Sequence, residues 1–135
     1  MKRDARQAKL PESASMVRQL AVGRVMFAAA FLAAPVPAAR LLGADTATAQ
    51  RVSWLTRMMA VRDGALGAGA LSAARGGDPG LWLIGGAVSD AVDAVVIAGA
   101  LKQGRIKGVV PTLVVPGAAL VAVSGVVAAL RLRRG

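Results

Sequence analysis

The sequence contains no cysteine, no histidine and no tyrosine. Without cysteine there is no disulfide and no thiolate metal site. Without histidine the commonest general base and the commonest metal ligand are gone. With all three absent, no haem can be held through those side chains. Aromatic residues make up 3% of the chain, two Trp and two Phe, so the stacking platforms that hold nucleic-acid bases are nearly missing. Acidic residues are scarce too: seven Asp and Glu face seventeen Lys and Arg, for a net charge of +10. In a soluble protein that balance would point to nucleic acid. Here the basic residues mostly flank apolar runs, as they do beside membrane spans. No nucleic-acid-binding motif accompanies them, and nucleic acid is set aside as a partner.

What is abundant is apolar surface. Hydrophobic residues are 56% of the 135 positions, above an ordinary soluble domain even when Gly is counted. They are Ala, Val, Leu, Ile and Met, with 16 Gly besides, a mixture suited to lipid contact and to helices that approach closely. The length allows one domain.

Residues 1–18 are polar and basic, with Lys2, Arg3, Arg6, Lys9 and Arg18. They are expected to form a cytoplasmic tail, disordered or lying on the anionic inner leaflet. Pro11 is expected to break any early helix. Residues 19–134 read as one four-span transmembrane domain. The first run covers residues 20–42, with Arg24 near its start and Pro35 and Pro37 near its end, where a helix can stop or kink. A cleaved signal peptide competes with this reading, since Val36-Pro37-Ala38 precedes Ala39-Arg40. The long leader and Arg24 inside the apolar stretch argue against cleavage. The second run, residues 54–74, holds Arg57, Arg62 and Asp63. Arg and Asp each cost about 2.5–3.5 kcal/mol at a helix centre, whereas each Leu or Val returns only about 0.3–0.6 kcal/mol. This run needs neighbours that neutralise it. The stretch before it can form a short interfacial helix, capped by Asp45 or Thr46.

The third run, residues 81–101, carries Asp90 and Asp93. Its connection to the second is the turn-rich Arg75-Gly76-Gly77-Asp78-Pro79-Gly80, which predicts an antiparallel hairpin. The fourth run, residues 108–130, has no charge, contains Pro111 and Pro116, and ends at Arg131, Arg133 and Arg134. Trp54 and Trp82 open the second and third runs and fall at opposite membrane faces, as an aromatic belt requires. With the N-terminus inside, nine Lys or Arg lie in cytoplasmic segments and six outside. That count favours both termini in the cytoplasm.

Five residues inside the apolar runs are the candidate site: Arg24, Arg62, Asp63, Asp90 and Asp93. An ionisable group at membrane depth faces the bundle interior and finds a partner. Asp90 and Asp93 share a helix face. Arg62 matches Asp93 in depth, and Asp90 lies about 4.5 Å deeper, towards Arg24. Two positive and three negative charges leave one carboxyl protonated, or Arg57 completes the balance. Such a network can hold a bundle in register or carry a function. Gly64, Gly67, Gly69, Gly85, Gly86 and Ser89 are expected to let the second and third helices touch.

An enzyme reading can be tested on motif spacing. Asp63-Gly64 and Gly86 with Asp90 and Asp93 look faintly similar to the CDP-alcohol phosphatidyltransferase motif. The likeness fails in detail. Val61-Arg62 stands before Asp63-Gly64 where an Asp pair is required, and Leu66-Gly67 stands where Ala-Arg is expected. Asp90 and Asp93 are three apart instead of four, which turns one carboxylate off the face a metal needs. No catalytic, cofactor or metal set is legible.

The pattern of Gly23-Arg24, Arg62-Asp63-Gly64 with Leu66-Gly67, and Asp90-x-x-Asp93 resembles small four-span bacterial membrane proteins of the DoxX-like and related domain-of-unknown-function type. The resemblance covers residues 20–130. It implies a four-helix membrane bundle and brings no activity, substrate or cofactor. The Ala, Gly, Val and Arg bias points to a high-GC bacterial source and hence to the plasma membrane. The sequence therefore favours a non-enzymatic accessory or scaffold component that binds another membrane protein or its own copies. The alternative is a small ion- or proton-coupled transporter or channel built on the buried Asp and Arg residues.

Overall fold

The computed structural model describes the backbone of residues 2–133 and the side chains of residues 14–133. Six helices follow one another: α1 (Lys2–Ala33), α2 (Pro35–Leu41), α3 (Thr46–Arg51), α4 (Ser53–Ala73), α5 (Gly80–Lys102) and α6 (Val109–Arg133). There is no strand among the described residues, so the all-α class holds. Three helices are long and apolar enough to cross a membrane: Ala14–Ala33 within α1, α5, and α6. The fourth long helix, α4, is not among them, because Arg57, Arg62 and Asp63 interrupt its 21 residues.

Two expectations are corrected at the N-terminal end. The backbone of the basic segment is helical from Lys2 onward, through Pro11. A proline ring removes one donor and kinks a helix without having to end it. How the side chains of residues 1–13 meet a leaflet lies outside the described residues. The second correction concerns the first span, which stops at Ala33 instead of running on to residue 42. Pro35 disfavours helical backbone at the residue before it, and Ala34 sits at φ −134°, ψ 62°. The chain restarts as the short α2, with Pro35 in its first turn, where a missing N–H is tolerated.

The connections are built from specific caps. Asp45 caps α3 by accepting from the Thr48 N–H at 2.9 Å and the Thr48 hydroxyl at 2.6 Å. The hydrogen bonds from Thr48 hold the exposed Asp45 carboxyl below its usual value. Two helices end in the same motif. After α2, Gly43 N–H donates to Arg40 and Ala44 N–H to Ala39; after α5, Gly104 N–H donates to Leu101 and Arg105 N–H to Ala100. This is the Schellman arrangement, which needs a left-handed residue. Gly43 and Gly104 supply it at φ 92° and 68°. The two ends then meet, with Lys107 N–H donating to the Gly43 carbonyl at 3.3 Å.

The long helices form two close pairs, α1 on α4 and α5 on α6, and the pairs touch more lightly through α4–α5 and α1–α6. Small residues set the close pairs. A Cβ on Gly67 would stand 2.7 Å from the Ala21 carbonyl of α1, and one on Gly125 would stand 3.2 Å from the Leu83 carbonyl. Gly64 also faces α1, at Ala28. The expectation that Gly64 and Gly67 face the third span is thereby corrected, whereas Gly69 meets Trp82 and Gly85 meets Leu66 of α4.

Apolar clusters close both ends of the bundle. Val17, Leu83, Ala128 and Ala129 pack at one end, and Phe31, Ala38 and Ala60 at the other. The large side chains point outward: Val95 is 73% exposed and Leu120 68%. That is the reverse of a soluble bundle and matches a surface solvated by lipid tails.

Gly43→Ala is expected to destabilise the protein more than Gly104→Ala. Both place an L residue at positive φ, at roughly 1–2 kcal/mol each. Only at Gly43 does the new Cβ collide, 2.5 Å from the Lys107 carbonyl, whereas nothing lies within 4 Å at Gly104. Denaturation in detergent followed by circular dichroism measures both. Equal losses would mean that the contact between these two loops contributes nothing.

Candidate functional site

Asp63 and Asp90 each lie ten residues from the start of their helices, α4 at Ser53 and α5 at Gly80, and Arg24 lies nine residues before the end of α1 at Ala33. At a rise of about 1.5 Å per residue that is about 15 Å in, half the thickness of a hydrocarbon core of about 30 Å. Three helices therefore deliver their charged side chains to one level.

All five residues singled out in the sequence meet there. Arg24 Nη1 donates to Asp63 Oδ1 at 3.0 Å, and Arg24 Nη2 donates to Asp90 Oδ2. Arg62 grips Asp93 with both terminal nitrogens, Nη2 to Oδ2 at 2.6 Å and Nη1 to Oδ1 at 3.3 Å. Arg62 Nη2 also reaches Asp63 Oδ1 at 3.5 Å. The result is an unbroken alternation of charge, Asp90–Arg24–Asp63–Arg62–Asp93, across α1, α4 and α5. Asp63 is buried at its centre, and Arg62 at one flank is the most exposed member. Arg57 is exposed and is not among the partners of these carboxylates.

The fork of Arg24 explains one glycine. A Cβ on Gly86 would stand 2.9 Å from Arg24 Nε and Nη2. The guanidinium, fixed between two carboxylates, lies flat on the bare backbone of α5. Planar bidentate geometry is what a guanidinium offers and an ammonium does not.

Hydrogen bonds use Asp63 only through Oδ1 and Asp90 only through Oδ2. One oxygen of each is thus without a partner among the described residues. Beside them opens a cleft of about 500 Å³. Arg24, Asp63, Asp90 and Asp93 line its polar side, and the walls include Phe27, Ile97, Val114 and Val121. The apolar stretch of α6 before Arg131 had offered no site residue in the sequence, yet it supplies one wall through Val114, Gly117, Ala118 and Val121. Gly117 was the available signal, a small residue in a run without a charged partner. No group of three metal-ligating side chains is gathered among the described residues.

Removing one partner of a buried pair costs about 3–5 kcal/mol. Arg24→Met should lose that much, because it strands two carboxylates. Gly86→Ala should lose part of it by displacing the same guanidinium. Reversing Arg62 or Asp93 alone should reduce accumulation in membranes, and the exchanged pair Arg62→Asp with Asp93→Arg should restore it. Failure of that rescue would sink the pairing. Compared with family models, curated proteins and solved structures, the chain matches none.

Proposed function

We propose that this chain is a four-span plasma-membrane protein, with both termini cytoplasmic, that uses its mid-membrane carboxylates as part of a cation pathway: a small ion- or proton-coupled transporter or channel. One observation carries the reading. Three carboxylates and Arg24 border a cleft of about 500 Å³ at mid-depth. Ionisable groups there are costly and mark ion and proton routes.

The four-span topology has its own support. α4 has 21 residues, enough for a crossing of about 20. Its Arg62 and Asp63 are engaged by charges on α1 and α5, which lowers the cost that keeps it from inserting alone. The nine-to-six distribution of Lys and Arg favours this orientation.

An accessory component that binds another membrane protein is the second reading. Its basic ends and exposed apolar faces favour it. The small-residue faces weigh less for it, because Gly64, Gly67, Gly86 and Gly125 meet helices of this same chain.

Proteoliposomes loaded with a pH-sensitive or cation-sensitive dye test the proposal. Asp90→Asn should remove most of the flux while the protein still accumulates and elutes as a single species. Unchanged flux in a folded variant would overturn the proposal. A near-stoichiometric partner in a mild-detergent pull-down, with no flux, would move the assignment to the second reading.

A further inference from the structure

The cleft poses a problem that its own residues leave unsolved. Its walls are apolar, but its floor carries three carboxylates and one guanidinium. It follows the seam between α1 and α6, one of the two places where the helix pairs touch lightly. A lipid tail lying there would press hydrocarbon onto Asp63 and Asp90, each with an oxygen lacking a partner among the described residues. Burying such a group without a hydrogen bond is unfavourable by several kcal/mol. The network is also unbalanced, with three carboxylates against two guanidiniums.

Two glycines keep the space open. Gly23 of α1 and Gly117 of α6 both line the cleft, and a Cβ at either would find nothing within 4 Å. Elsewhere in the bundle, Gly67, Gly86 and Gly125 are small because a neighbour touches them. At 23 and 117 the sequence is small where no protein atom requires it. The volume falls within the range of small-molecule sites, about 300–1,000 Å³.

We infer that the cleft between α1 and α6 binds an amphipathic organic monocation, its charge on Asp63 and Asp90 and its apolar body against Phe27, Ile97 and Val121. One positive charge balances the network, and an apolar body satisfies the walls. Neither an inorganic ion nor a neutral lipid does both. The inference rests on the cation reading of the same site and names the class of substrate.

The test is equilibrium binding to the full-length protein in nanodiscs, with empty nanodiscs subtracted. Tetraphenylphosphonium is the probe, and tetraphenylborate, of similar shape and opposite charge, is the control. The expected result is saturable one-to-one binding of the cation and none of the anion. Gly117→Phe, and independently Gly23→Leu, should abolish saturable binding with helix content unchanged, since each fills open space. Asp90→Asn should weaken it roughly tenfold. No saturable binding of the cation, equal binding of the anion, or full binding in both glycine variants would overturn the inference. So would a stable dimer whose second copy covers the cleft. Flux measured in parallel separates the two proposals. Flux of protons or inorganic cations that depends on Asp90, without tetraphenylphosphonium binding, removes this inference and leaves the transport reading. Binding without any flux does the reverse.

Discussion

The guanidinium of Arg24 holds the molecule together. The four long helices form two tight pairs that touch each other only lightly, and α1 and α5 belong to different pairs. Arg24 reaches from α1 to Asp63 on α4 and to Asp90 on α5 at once. In lipid there is little hydrophobic force to drive the pairs together, because the tails outside are as apolar as the side chains. Charge pairing at mid-depth takes that role. The apolar clusters at the two ends are built largely of alanine and supply contact more than driving force.

Much of this was legible because membranes make charge conspicuous. Arg24, Arg62, Asp63, Asp90 and Asp93 stood out against apolar surroundings, and the depth matching of Arg62 with Asp93 needed only a helical rise. What was hidden follows from what one dimension omits. The partners of Gly64 and Gly67 depend on which neighbour α4 packs against most closely, and periodicity does not say. Pro35 and Pro37 were both candidates to end the first helix. The outcome turned on Ala34, whose backbone Pro35 forces away from helix. The cleft was invisible because its walls come partly from α6, where nothing polar marks them.

The glycines sort into kinds that composition merges. Gly43 and Gly104 are required by backbone handedness at two helix ends. Gly67, Gly86 and Gly125 are required by neighbours that leave no room. Gly23 and Gly117 border empty space. The same residue thus terminates, packs and excavates, and only the environment of the missing Cβ tells these apart.

The charge alternation also has a consequence for biogenesis. Synthesis proceeds from α1 through α4 to α5. When α4 leaves the ribosome, the Arg24 partner of its Asp63 is already made, but Asp93, the partner of Arg62, lies 31 residues further along the chain. A segment that inserts poorly alone thus carries one satisfied and one waiting charge. If α4 crosses the membrane as proposed, its insertion together with α5 as a hairpin resolves that conflict, with only the short turn at Gly76–Gly77 between them. The order of the helices along the chain would then be part of the folding mechanism.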